Sequence, residues 1–180
     1  MKKTILISLV VLSNVIFAQE NNWQEFSEEK IITVNINKTG IYKAQNYSLD
    51  VVWGENLSYS ENIGYYGGIK KMIFNKDNRE IQVIENLEDN VALGTIYLNF
   101  YDYNLDGYLD FTLPINSRWL MYYIFNPQTN QFEHLEDWDY LRIQKIDKKN
   151  KLILSEPDGN AMGNNRKIYK INGLNIIENK

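Results

Sequence analysis

Nine residues near the middle of the chain constrain everything around them: Asp102-Tyr103-Asn104-Leu105-Asp106-Gly107-Tyr108-Leu109-Asp110. Oxygen-bearing side chains stand at alternate positions, with a glycine at the sixth and an acid at the ninth. Calcium takes roughly six to eight oxygens, and a short loop converges that many only when alternate side chains turn inward. Gly107 permits the sharp turn because glycine adopts backbone angles that other residues resist. The spacing assigns ligand positions to Asp102, Asn104, Asp106, the Tyr108 carbonyl and Asp110, the last directly or through water. The twelfth position is Leu113, so the bidentate glutamate of an EF-hand is missing. A plain turn is the competing reading, since Asp, Asn and Gly dominate turns for reasons unrelated to metal.

The flanks of the loop are not helical. Before it, Thr95 to Tyr101 alternates, placing Ile96, Leu98 and Phe100 on one face. After it, Phe111-Thr112-Leu113 runs into Pro114, which bars a helix across the junction. The pattern predicts strand, calcium loop, strand, with a structural ion of modest affinity.

The rest of the chain agrees. Lys30 to Asn37 alternates through Ile32, Val34 and Ile36, Thr39-Gly40 marks a turn, and Tyr47 to Trp53 alternates through Leu49, Val51 and Trp53. Residues 54–68 form a softer stretch rich in Asn, Ser, Gly and Tyr. Three hairpins follow by composition. Ile69 to Asn75 and Glu80 to Glu85 flank residues 76–79, Trp119 to Phe125 and Gln131 to His134 flank 126–130, and Leu141 to Ile146 and Lys151 to Leu154 flank 147–150. Arg166 to Ile171 reads as a last strand, and Glu133 to Asp139 has room for one helical turn. Short strands at regular spacing predict an all-β antiparallel sandwich or irregular barrel, in one domain spanning residues 19–180.

Residues 1–18 read as a signal peptide: Met1-Lys2-Lys3, an apolar run from Ile5 to Phe17 broken by Ser8, Ser13 and Asn14, and Ala18 as the cleavage residue. The competing reading is an N-terminal membrane anchor, for which the run is short and interrupted. Export to the periplasm or the medium is the expectation, with no membrane span left after cleavage. The chain has no cysteine, so neither a disulfide nor a lipid at the cut can hold it, and a bound calcium would supply stability. Removing the leader leaves 17 basic residues against 23 acidic, a balance of −6. That disfavours nucleic acid and anionic membrane and suits a basic protein partner.

Known catalytic signatures are missing: no H-E-x-x-H, no G-x-S-x-G, no phosphate loop and no thiol nucleophile. The single histidine, His134, has no triad to join. The acids Glu133, Glu136, Asp137 and Asp139 cluster. They could form a solvated face, a patch for a basic partner, a carboxylate pair for glycoside hydrolysis, or the source of the missing calcium ligand. A protein that is not an enzyme is the expectation.

The run from Ile96 to Phe111 resembles the strand-embedded calcium loops of FG-GAP and VCBS-type repeats. With Tyr122-Tyr-Ile-Phe-Asn-Pro-Gln-Thr-Asn-Gln-Phe132 it resembles small exported bacterial proteins with a single such loop. Those are similar to immunity proteins of lysozyme-like peptidoglycan hydrolases and to periplasmic i-type lysozyme inhibitors. The resemblance implies a protein that inhibits such a hydrolase by pushing an exposed Ser/Gly/Tyr loop into its cleft. Tyr59, Tyr65, Tyr66, Gly67 and Gly68, within Ser58-Tyr59-Ser60 and residues 64–68, have suitable chemistry for that loop. The alternative for these tyrosines is that they cover the end of a sheet. The alternative for the protein is a cell-surface or secreted module that binds carbohydrate or an adhesion partner through exposed aromatics.

Overall fold

A computed structural model describes residues 22–62, 64–85, 87, 95–115, 119–139, 141–156 and 166–179. For residues 57, 58 and 64–66 the description stops at the backbone, and the expected signal peptide lies outside the described residues. The strands in chain order are β1 Gln24–Glu25, β2 Ile32–Ile36, β3 Gly40–Ala44, β4 Tyr47–Ser60, β5 Gly64–Lys76, β6 Arg79–Glu85 and β7 Ile96–Tyr101. They continue as β8 Asp110–Pro114, β9 Leu120–Asn126, β10 Gln131–His134, β11 Ile143–Asp147, β12 Leu152–Ser155, β13 Lys167–Asn172 and β14 Asn175–Glu178. Two short 3-10 turns, Phe26–Glu28 and Glu136–Trp138, are the helical elements among the described residues. None is long and apolar enough to cross a membrane.

The strands form three antiparallel sheets, ordered β3-β4-β5-β6, β2-β7-β8-β9-β10 and β1-β11-β12-β13-β14. The all-β sandwich expected from the sequence is present, with one more layer than a simple sandwich. One core lies between the first two sheets and includes Leu49, Met72, Phe74, Leu98, Phe100, Phe111 and Phe125. The other gathers Tyr101, Tyr103, Tyr122, Ile124, Trp138, Ile146, Ile153 and Ile171, between the second sheet and the third. The second sheet is therefore the middle layer. Side chains alternate across a strand, so Tyr123 and Phe125 of β9 enter one core while Tyr122 and Ile124 enter the other. A strand buried on both faces reads as a continuous apolar run rather than an alternating one, and Leu120 to Phe125 is such a run.

Three local expectations change. Residues 54–68 are not a loose loop: β4 and β5 carry on through them, pairing Gly54 with Gly68, Ser58 with Tyr66, Tyr59 with Tyr65 and Ser60 with Gly64. The chain bends at Lys38-Thr39, and Gly40 already begins β3, pairing Gly40 with Val51 and Ala44 with Tyr47. Arg166 to Ile171 is followed by a further strand, β14, folded back through Gly173, whose φ of 64° needs a glycine.

Candidate metal centre

The Asp102–Asp110 loop links β7 to β8 in the middle sheet, where Tyr101 pairs with Asp110. Leu105 (φ 56°) and Gly107 (φ 95°) supply the two left-handed residues that wind it into a compact turn. The acids hold that turn from within. Asp102 accepts the N–H of Asp106 on Oδ1 and of Gly107 on Oδ2, each at 2.9 Å. Asp106 accepts the Tyr108 N–H on Oδ1 at 2.9 Å and the Asn104 side-chain amide on Oδ2 at 2.9 Å. The Asn104 Oδ1 accepts the Asp106 N–H at 3.3 Å, and its amide also reaches the Gly173 carbonyl at 3.4 Å, against the β13–β14 turn.

Asp110 does something different. It is completely buried. Its Oδ2 takes the N–H groups of Tyr103 (2.7 Å) and Asn104 (3.2 Å), and its Oδ1 takes the Phe125 N–H at 2.8 Å. One carboxylate thus ties the start of the loop to its end and both to β9. Burial pushes its carboxyl well above the usual carboxylate range, the three N–H donors pull it back, and the charge of Asp106 raises it further. Burial also raises Asp102, opposed by its N–H donors and reinforced by Asp106. The loop therefore concentrates negative charge at partly buried positions, where acids act on acids.

Among the described residues, no three His, Cys, Asp or Glu side chains converge as a ready metal cluster. The donors in the loop are mixed instead: carboxylates, one amide and a backbone carbonyl, all hard oxygen ligands of the kind calcium takes. Three oxygen-bearing side chains and a backbone carbonyl strung along one compact turn that Leu105 and Gly107 wind fit a hard cation. Asp102, Asn104, Asp106, the Tyr108 carbonyl and Asp110, the last directly or through water, would hold it, with Asp110 also closing the loop from beneath. A bound calcium would supply the positive charge that these acids otherwise lack.

Two of the acids near residue 136 are engaged elsewhere. The Glu133 Oε1 accepts the Asn126 amide at 2.7 Å. Asp139 accepts the Tyr122 N–H on Oδ1 at 3.1 Å, and its Oδ2 meets the His134 Nε2 at 2.8 Å. Glu136 and Asp137 face solvent. His134, stacked on Tyr123 at 5.2 Å, is thus an anchored surface residue.

One contact had no signal in the sequence. The Lys76 ammonium lies over the rings of Phe125 (5.1 Å), Tyr47 (5.5 Å) and Tyr108 (5.8 Å). It ties the loop's seventh residue to the end of β5, joining the first sheet to the second by cation–π attraction.

The residues suggested for partner contact divide. Tyr59 is 59% exposed, whereas Gly67 and Gly68 are buried where β5 passes Trp53. The side chains of Tyr65 and Tyr66 lie outside the described part, though their backbone pairs with Tyr59 and Ser58. Beyond Val51 on β4 and Lys71 on β5, no third strand pairs with either edge among the described residues. Trp53, Gly67, Gly68 and Ile69 still lie against the core, and past Gly67 the hairpin runs on as a two-stranded arm, Ser58–Ser60 against Gly64–Tyr66, of about 10 Å at roughly 3.3 Å per residue.

Fold and loop together define a class: a three-layer, all-β protein with an acidic Asp/Asn/Gly turn built into its middle sheet. Comparison with known protein families, with curated proteins and with solved structures finds no match to this chain.

Proposed function

We propose that this chain is an exported, calcium-stabilised binding protein without catalytic activity, which inhibits a lysozyme-like peptidoglycan hydrolase by placing its β4–β5 arm in the glycan cleft. The observation that carries the reading is the arm, which extends past β3 and β6 and holds Tyr59 exposed near its tip. A two-stranded ribbon is narrow enough to enter a cleft, and tyrosine brings rigid contact area with a hydroxyl for hydrogen bonding. The acidic balance supports it, since opposite charge steers a basic enzyme into contact. The resemblance carried by residues 96–132 points the same way.

The test uses residues 19–180 in calcium against a panel of lysozymes and cell-wall hydrolases. Inhibition should be lost when Tyr59, Tyr65 and Tyr66 are replaced together by alanine, with the melting temperature unchanged. Full inhibition by that variant removes the arm from the mechanism, and failure to bind any hydrolase removes the reading itself.

One observation favours the second reading, a carbohydrate or adhesion module. Trp23 lines a surface hollow of about 400 Å³ with Asn22, Gln24, Lys148 and Lys149. An aromatic face beside amides suits sugar stacking. Binding to purified polysaccharide, lost in Trp23→Ala and without effect on any hydrolase, would select it.

A further inference from the structure

The arm leaves the sheet through an irregular joint. The β4–β5 register slips twice, between Val52 and Trp53 and again between Gly54 and Ser58. At the second slip, residues 55–57 of β4 stand opposite Gly67 alone. A bulge of that kind bends a ribbon and increases its twist, so it decides where everything beyond it points. Left to itself, a two-stranded ribbon with an interrupted ladder would swing.

Trp53 stands at that joint and is fixed from three sides. Its backbone N–H donates to the Thr39 Oγ1 at 2.9 Å, in the bend before β3. Its side chain packs against the first core. Its indole covers Gly67 so closely that a methyl group there would overlap the indole nitrogen and sit 2.6 Å from the Gly54 carbonyl oxygen. Gly67 is thus required by a close approach of ring and backbone. Gly68, also buried, pairs with Gly54 directly beneath.

We propose that Trp53 seated on Gly67 is a positioning lock, which joins the core to the arm and holds the arm at one angle as a pre-aimed probe for a concave protein surface. A rigid arm meets its partner without the ordering cost that a swinging hairpin would incur. Trp53 and Gly67 are positioning residues, acting on a partner only through the residues beyond the bulge. The use of the arm rests on the inhibitor reading; the lock itself does not.

The experiment reads the arm without any partner. The chain has no cysteine, so Asn62→Cys at the turn and Lys170→Cys on β13 give two clean spin-label sites. Pulsed electron paramagnetic resonance then measures the distance between them. The otherwise native chain should give one narrow distribution, and Gly67→Ala a shifted or broadened one. Trp53→Phe, which shortens the ring without adding bulk, should broaden it as well, and it serves where Gly67→Ala fails to fold. A distribution in the native background as broad as in Trp53→Phe overturns the lock. Where a hydrolase partner is in hand, both variants should weaken binding at least tenfold, mainly through slower association. Undiminished binding with a broadened distribution overturns the pre-aimed probe, whereas a narrow distribution in a protein that binds no hydrolase leaves the lock standing and defeats only the inhibitor reading.

Discussion

Replacing Asp110 by asparagine keeps the shape of the side chain and removes one acceptor atom. In the native loop Oδ2 takes the N–H groups of Tyr103 and Asn104, and Oδ1 takes that of Phe125. An asparagine has a single acceptor oxygen. If that oxygen keeps the Tyr103 and Asn104 donors, its NH2 group faces the Phe125 N–H in a site with no exposure. A buried donor left without an acceptor costs about 1–3 kcal/mol. Against this stands relief from a buried charge, which is the main cause raising the Asp110 carboxyl. The two terms offset in part, for a net loss of about 1–2 kcal/mol without calcium. Asp106→Asn should behave differently, because Asp106 is only partly buried, its amide replacement can keep the Tyr108 N–H bond, and the Asn104 amide that loses its acceptor there still reaches the Gly173 carbonyl. Its calcium-free stability should change by less than about 0.5 kcal/mol. Calcium at a hundred times its dissociation constant stabilises a folded protein by about 2.7 kcal/mol. Asp106→Asn should lose most of that increment. The assay is urea unfolding followed by tryptophan fluorescence, with chelator and with calcium. The reasoning fails if Asp110→Asn unfolds at the wild-type midpoint in chelator, or if Asp106→Asn keeps the full calcium increment.

Three further outcomes are expected. Chelation should lower the melting temperature by roughly 5–11 °C from its value in excess calcium, a shift that calorimetry reads directly. Phe111→Ala and Ile124→Ala, which open opposite cores, should each cost about 2–5 kcal/mol and leave a single cooperative transition; two separated transitions would mean that the layers fold independently. Burial raises the phenols of Tyr47, Tyr101, Tyr103 and Tyr122 above their ordinary 10.0, with Tyr47 pushed up to about 12. Their contribution to stability is complete below pH 10, where folded and unfolded chains are both protonated, and is lost as pH rises through the folded values. Tyrosinate absorbance at these positions should therefore appear together with loss of the fold in circular dichroism; ionisation near pH 10 with the fold intact would refute the burial argument.

What could be read from the residues alone follows their periodicity. Ile32, Val34 and Ile36 alternate because one face of β2 is buried, and the turn from Asp102 to Asp110 is legible because the residues that wind it are contiguous. The third layer was harder to see. Tyr122-Tyr123-Ile124-Phe125 carries no period, and only the continuous apolar run hinted that the strand lies between two cores. The strands beyond Trp53 were hidden for a different reason. Glycine, serine and asparagine between residues 54 and 68 are poor strand formers, and pairing between the two arms overrides their preference. The Lys76 contact joins residues far apart in sequence and leaves no local trace.

Leu113 explains why the loop stops where it does. In an EF-hand the chain curls on after the ninth position until a twelfth residue can turn back to the ion. Here β8 begins at the ninth position, because Asp110 is already paired with Tyr101 and hydrogen-bonded to the Phe125 N–H of β9. Three residues later Leu113 is opposite Met121 and fully buried in the first core. A glutamate there would have to leave that core to reach the loop, so the sheet and a twelfth ligand exclude each other. The carboxylate at position nine is itself hydrogen-bonded into the sheet, and Thr112 on the same face meets the Tyr103 hydroxyl at 3.4 Å. The loop is thereby built as a fixed corner of the middle sheet. A cation held there would stiffen the β7–β8–β9 junction, with no hinge at the loop's end through which to switch it.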